Sequence, residues 1–192
     1  MVRPQVTVLA YDGVDELDLF GLYSVLAKAR GRFDGLKLVP PDSPVTGSAG
    51  TEFVTEPANL TIADSDALVI PGGRRAADIA ETRYFAPVIR HLHSRGARIY
   101  CCCSGTLILA AALKSTDGVS AIHHRKRDQL KSVFGGRIET GFVESNSIVS
   151  VGGQISRSVK SVDLAFRLLA DVDPSLADRI SDRMEIAWRT EP

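Results

Sequence analysis

A chain of 192 residues, 44% hydrophobic and 24% charged, is long enough to bury one substantial core and short for two, so a single domain over residues 1–192 is expected. Its 23 basic and 23 acidic side chains cancel, which argues against nucleic acid or an anionic membrane as partner and favours small neutral ligands. No apolar run approaches the roughly 20 residues a membrane span needs, and no signal core follows Met1, so a soluble cytoplasmic protein is expected.

In chain order, strand-like and helix-like segments alternate. Residues 5–11 are apolar on both faces, as in a buried parallel strand, and end at Asp12-Gly13. Over 16–30 the apolar Leu17, Phe20, Leu22, Val25, Leu26 and Ala29 recur at helical spacing, with Asp18 in the first turns and Gly31 closing the element. A short strand at 36–39 stops at Pro40-Pro41, and 45–55 reads as a small edge hairpin. Residues 66–70 form a strand that ends in Pro71-Gly72-Gly73, where two glycines let backbone amides approach a ligand. A helix over 84–94 follows.

Residues 98–103 then lead an apolar strand into three consecutive cysteines, and Ser104-Gly105 makes a tight junction before an Ala/Leu-rich helix over 106–113. Beyond Asp117-Gly118 come a strand at 120–122, a charged surface helix over 124–134, a strand pair at 137–143 and 147–151 turning about 144–146, and helices over 158–170 and 174–184. This βα alternation predicts an α/β fold, a largely parallel sheet with helices on both faces and a ligand site at the strands' carboxyl ends. Asp12 to Asp18, Gly72-Gly73, Cys103 and His123-His124 all fall there.

All three cysteines are adjacent, which leaves no disulfide framework and implies a reducing compartment. Neighbouring strand side chains point to opposite faces, so these thiols do not wrap a metal ion, and no metal or cofactor is expected. Cys101 and Cys102 read as core. Cys103, at the elbow, faces the positive end of the next helix, where the dipole and free N–H groups are expected to lower its pKa toward neutrality and make it a nucleophile. Amides of Gly73 and Ser104 are candidates to receive charge growing on an attacked electrophile. A nearby carboxyl would shuttle the proton; Asp12, Asp15, Glu16 and Asp18 are all candidates by pattern.

The stretches Tyr11-Asp-Gly-Val-Asp-Glu-Leu-Asp-Leu-Phe-Gly21, Ile70-Pro-Gly-Gly73, Cys103-Ser-Gly105 with Leu-Ala-Ala-Ala-Leu113 behind it, Asp117-Gly118 before Ala121-Ile-His-His124, and Ser161-Val-Asp-Leu-Ala-Phe-Arg-Leu-Leu169 occur in an order that resembles the ThiJ/PfpI superfamily. The resemblance runs from about Val6 to Trp188. It implies a three-layer, flavodoxin-like fold of the class I glutamine-amidotransferase-like type and a homodimer. Leu17-Asp-Leu-Phe-Gly21 and Cys103-Ser-Gly105 look most like the isonitrile hydratase branch and the sensor-like domains of AraC-type regulators.

Carried over position by position, the resemblance implies Cys103 as nucleophile, Asp18 as its carboxylic partner, Ser104 as the neighbouring hydroxyl and amide, and Gly73, beside Gly72, as an oxyanion donor. His124 matches the family histidine after the elbow helix, with Arg125 where an aromatic residue often stands. Ser104 replaces the histidine of the protease-like branch, and no histidine follows His124 to make a glutaminase His-x-Glu pair. Arg157 and Lys160 stand where a glycine-rich approach to the last long helix is usual and would narrow or charge the pocket. The function expected is hydration of an isonitrile to an N-substituted formamide through a Cys103 thioimidate. A redox-sensing or non-catalytic binding module, or a hydrolase or glyoxalase-like enzyme acting on small carbonyls, is the alternative.

Overall fold

The computed structural model describes residues 3–39, 44–55, 62–114, 118–153 and 159–188. Its main sheet has six strands in the order β2-β1-β5-β6-β10-β9, formed by Gly35–Val39, Gln5–Leu9, Ala67–Ile70, Arg98–Cys102, Ile148–Gly152 and Gly141–Ser145. All adjacent pairs are parallel except β9 with β10. The strands sit in the middle because their residues are apolar on both sides: all four residues of β5 are buried, as are four of the five in β6.

The helices divide between the faces. Thr106 on α4 (Gly105–Leu113) places its hydroxyl 3.5 Å from Cys101 Sγ, whereas Tyr100, the preceding residue of β6, donates to Asp171 on α6 (Lys160–Val172) at 2.8 Å. Successive strand side chains point to opposite faces, so α4 and α6 cover opposite sides of the sheet. Helices α2 (Ala76–Thr82) and α3 (Ala86–Ser94) pack with α4; α1 (Glu16–Lys28) and α7 (Pro174–Met184) pack with α6. Gly21 permits the close α1–α6 approach, since a Cβ there would lie 3.3 Å from Val162. The flavodoxin-like α/β architecture expected from the sequence is thus the one observed.

Several local expectations need correction. No helix was expected between Gly73 and Tyr84, yet α2 fills 76–82. Only Ala76 in it is buried, so it has no apolar stripe to read, and Arg83 ends it in the left-handed region (φ 54°). The surface helix expected over 124–134 is a 3₁₀ turn, His124–Lys126, followed by the short α5, Arg127–Lys131. The strand expected over 137–143 breaks at Thr140: β8 (Arg137–Glu139) runs parallel to β7 (Val119–Ala121), and β9 starts at Gly141 (φ 83°). The following turn is at Asn146 and Ser147, later than the 144–146 expected. The edge hairpin shrinks to β3 (Val45–Thr46) and β4 (Glu52–Phe53). Pro40, Pro41, Asp117 and Arg157, together with the predicted helix start at 158, lie outside the described residues.

Candidate functional site

Strands β1, β5 and β6 are neighbours, so the segments leaving their carboxyl ends meet. The sharpest turn is the elbow from β6 into α4. Gly105 makes it possible: a Cβ there would meet Ile70 O at 2.4 Å and Pro71 O at 2.6 Å, so α4 starts pressed against the end of β5. Cys103 takes up the turn at φ 54°, a conformation that costs a non-glycine residue about 1 kcal/mol or more. Both of its backbone groups are tied: its N–H donates to Val151 O at 3.1 Å, and its carbonyl accepts from His123 N at 3.2 Å. The surrounding sheet therefore holds the strain in place. Cys103 is half-buried, while Cys101 and Cys102 are fully buried.

Of the four candidate carboxyls, three have backbone duties. Asp12 accepts from Thr46 N at 3.0 Å, Asp15 caps α1 by accepting from Asp18 N at 3.0 Å, and Glu16 accepts from Ala49 N at 2.9 Å and Ser48 Oγ at 3.1 Å. Asp18 turns inward instead. It is buried, and its Oδ2 has no hydrogen-bond partner among the described residues. Gly72 is what lets it reach the thiol: a Cβ on Gly72 would lie 2.6 Å from Asp18 Oδ2, 2.6 Å from Cys103 Cβ and 3.0 Å from Cys103 Sγ. Carboxyl and sulfur converge on that one small space.

Burial pushes the Asp18 carboxyl up to about 6, with the nearby Asp15 charge adding to it, while the Cys103 thiol and the Gly72 amide pull it down. Burial likewise pushes the Cys103 thiol up to about 12, with the Asp18 charge raising it further against the pull of the Ser104 amide. This corrects the expected lowering toward neutrality: the helix end is real, but burial and a neighbouring carboxylate outweigh it. At neutral pH the resting pair is a thiol beside a carboxyl that is near its own titration.

Ser104 and Gly73 meet, though not in the roles expected. Ser104 Oγ accepts from Gly73 N at 2.9 Å and donates to Gly73 O at 2.9 Å. The Gly73 amide expected to serve an oxyanion is therefore engaged by a side chain 31 residues away, and the Ser104 hydroxyl is spent on holding the β5 loop. Gly73 is also packed so that a Cβ would lie 2.4 Å from Gly13 O. Tyr11 fixes the same loop by donating to Pro71 O at 2.9 Å, a contact that no motif signals. His124 is exposed and stacks on His123 with ring centroids 4.4 Å apart; it is His123 whose amide touches the elbow. Lys160 is half-buried at the first turn of α6.

Among the described residues no three His, Cys, Asp or Glu side chains gather as a metal site, and no helix is long and apolar enough to cross a membrane. Two clefts lie away from the elbow. One, of about 260 Å³, runs along α4 past Thr106 and Leu113 to Phe134; the other, of about 220 Å³, lies between α2 and β3 beside Arg75 and Tyr84.

The DJ-1/PfpI family model matches residues 4–156. Among solved structures, the fold is similar to DJ-1beta of Drosophila melanogaster at 15% identity and TM-score 0.82, covering 97% of this chain and 100% of that one. A THiJ/PfpI family protein of Pseudomonas syringae matches at 23% identity and TM-score 0.83, covering 100% of this chain and 78% of that one. DJ-1 of Schizosaccharomyces pombe matches at 18% identity and TM-score 0.77, covering 95% and 100%. No curated protein matches the chain in sequence.

Proposed function

Because the chain belongs to the DJ-1/PfpI family, whose fold brings Cys103 to a sheet edge, we propose that Cys103 is the nucleophile of a small-molecule enzyme and that it hydrates isonitriles to N-substituted formamides. The observation that carries this reading is the convergence of Cys103 Sγ and Asp18 Oδ2 about Gly72. An isonitrile accepts nucleophile and proton on the same terminal carbon, so a thiol and a carboxyl directed at one point suit that addition.

Cys103 sulfur bonds to the isonitrile carbon, and the thiol proton passes through Asp18 to the same carbon, giving a thioimidate. Asp18 then takes a proton from water as the water oxygen adds to that carbon and passes it to the nitrogen. The carbon–sulfur bond breaks as the hydroxyl proton of the intermediate moves through Asp18 to the leaving sulfur, which releases the formamide and restores the thiol. A carboxyl whose pKa lies near 6 is suited to giving and taking a proton near neutral pH.

The addition step develops no oxyanion, which agrees with the Gly73 amide being engaged by Ser104. The alternative on small carbonyls, hydrolytic or glyoxalase-like, asks for that donor. We further propose a cytoplasmic homodimer, as the resemblance implies.

Formamide formation from an aryl isonitrile tests the proposal. Wild type is expected to turn over and Cys103→Ala to lose at least about 10³-fold in kcat. Absence of turnover across a panel of alkyl and aryl isonitriles would overturn it.

A further inference from the structure

Three segments meet at the elbow: the turn from β1 into α1, the Pro71-Gly72-Gly73 loop after β5, and the start of α4. The loop lies between the other two, and each of its three carbonyls is held by a neighbour. Gly73 O accepts from Ser104 Oγ at 2.9 Å, Gly72 O from the N–H of Asp15, the cap residue of α1, at 2.9 Å, and Pro71 O from the Tyr11 hydroxyl at 2.9 Å. Gly72, in the middle, is the residue about which Asp18 Oδ2 and Cys103 Sγ converge.

Tyr11 grips two of these segments at once. Its carbonyl accepts from Val14 N at 2.9 Å, which starts the turn that leads through Asp15 to Asp18, and its hydroxyl reaches 60 residues along the chain to Pro71. The same Pro71 oxygen bears on the third segment, because a Cβ on Gly105 would lie 2.6 Å from it. The ring is fully buried, and a buried hydroxyl is costly unless it is bonded, so a phenylalanine would fill this space with less at stake. What the hydroxyl adds is a fixed position for the loop. Burial and the charges of Cys102, Asp18, Cys103 and Asp15 around it push its pKa well above the usual value, so the donor stays protonated while Asp18 titrates near 6.

We propose that Tyr11 is a positioning residue for the Cys103 reaction: by holding Pro71 it fixes Gly72 between carboxyl and sulfur, and so sets the spacing across which the proton passes. The role rests on Cys103 being the nucleophile and Asp18 its proton acceptor. A misplacement of about 1 Å between reacting groups can cost up to about a hundredfold in rate.

Alkylation of Cys103 by iodoacetamide reads that spacing apart from any turnover, and with Cys101 and Cys102 buried peptide mass spectrometry confirms the residue modified. In wild type the rate is expected to rise to a plateau about a midpoint near pH 6, as Asp18 ionises and accepts the thiol proton; Asp18→Asn removes the step. Tyr11→Phe is expected to lower the plateau about threefold to tenfold. Gly72→Ala reaches the same spacing without touching the hydroxyl, since its Cβ would meet both Asp18 Oδ2 and Cys103 Cβ at 2.6 Å, and should lower it too. Thr7→Val, which removes from β1 a buried hydroxyl contact with Ser65 at 2.6 Å, controls for lost stability and should leave the profile as in wild type. An unaltered profile in Tyr11→Phe or in Gly72→Ala, an equal change in Thr7→Val, or a wild type with no step near pH 6 would overturn the proposal.

Hydration of an aryl isonitrile forms the second arm. A kcat lower by the same factor in Tyr11→Phe, with KM unchanged, supports both readings. If wild type turns over no isonitrile while the alkylation profiles behave as expected, hydration falls and the role of Tyr11 stands.

Discussion

At the amino end of β6, Arg98 donates to Glu144 and to Asp171, each at 2.7 Å; Arg167 donates to the same two carboxylates, and Tyr100 adds a bond to Asp171 at 2.8 Å. Every charge in that ring has a partner. At the carboxyl end of the same strand, Asp18 Oδ2 has none among the described residues, and Cys103 is held at φ 54°. The titrations follow suit. Arg98, with Arg167, holds Glu144 below the usual carboxylate range, and Arg167, Tyr100 and Arg98 hold Asp171 there against the cost of its burial, whereas Asp18 is pushed up to about 6. One end of the strand uses its polar groups to stabilise the fold, and the other keeps them unsatisfied where a substrate can use them.

Asp18→Asn separates these two uses most sharply. Activity is expected to fall about 10²- to 10⁴-fold, because the amide does not shuttle a proton. Stability is expected to move the other way. A carboxyl whose folded pKa is about 6, above an ordinary value of about 3.9, adds stability that is complete below pH 4 and is lost as pH rises through 6. At pH 7 to 8 the lost contribution is about 3 kcal/mol, so the variant should exceed wild type by up to that amount, with the gap closing by pH 4. Urea denaturation across that range checks it, and a pH-independent gap would contradict the frustrated-carboxyl picture.

Ser104→Ala asks whether the carboxyl end also contains satisfied parts. One hydroxyl serves both the N–H and the C=O of Gly73; its removal leaves the buried N–H unpaired, at about 1 to 3 kcal/mol, while the C=O keeps its bond from Ala76 N at 3.2 Å. The expected loss is about 1 to 3 kcal/mol in denaturant midpoint analysis. Activity should fall about tenfold as the β5 loop loosens, with Ser104→Thr recovering most of both. An unaltered stability would mean that the loop is held by Tyr11 and the Gly73–Val14 bridge instead.

These contrasts also mark what the sequence could express. Strands β5 and β6 and helix α7 are legible because their signals are local: unbroken apolar runs, and Asp173 accepting from Ser175 N ahead of Pro174. Helix α2 is not, since one buried alanine makes no pattern. The elbow position of Cys103 could be read from Ser104-Gly105, whereas choosing Asp18 among four acids needed the family resemblance, because Asp12 and Glu16 differ from it only in their tertiary partners and Asp15 in the local cap it makes for α1. The direction of the thiol pKa and the engagement of the Gly73 amide were misjudged for one reason. Both depend on burial and on contacts between segments 31 or more residues apart, and a helix-terminus argument sees only the local dipole.

The smallest effect is expected at the other end of β6. Arg98→Met keeps most of the aliphatic stem while removing two bonds from a ring that Arg167 still bridges. Because Arg98 and Glu144 are about a third or more exposed, at 32% and 41% of their side chains, water screens much of the interaction, and the loss at pH 7 should be about 1 kcal/mol. Its pH dependence has the opposite sign to that of Asp18. Glu144 and Asp171 have lowered pKa values in the fold, so their contribution is present above the ordinary carboxylate range near 4 and is lost as pH falls below it. The difference between wild type and Arg98→Met should therefore be constant from pH 8 to 5 and shrink toward pH 3, while kcat stays unchanged. A change in kcat would show that the two ends of the strand are coupled, contrary to the division drawn between them.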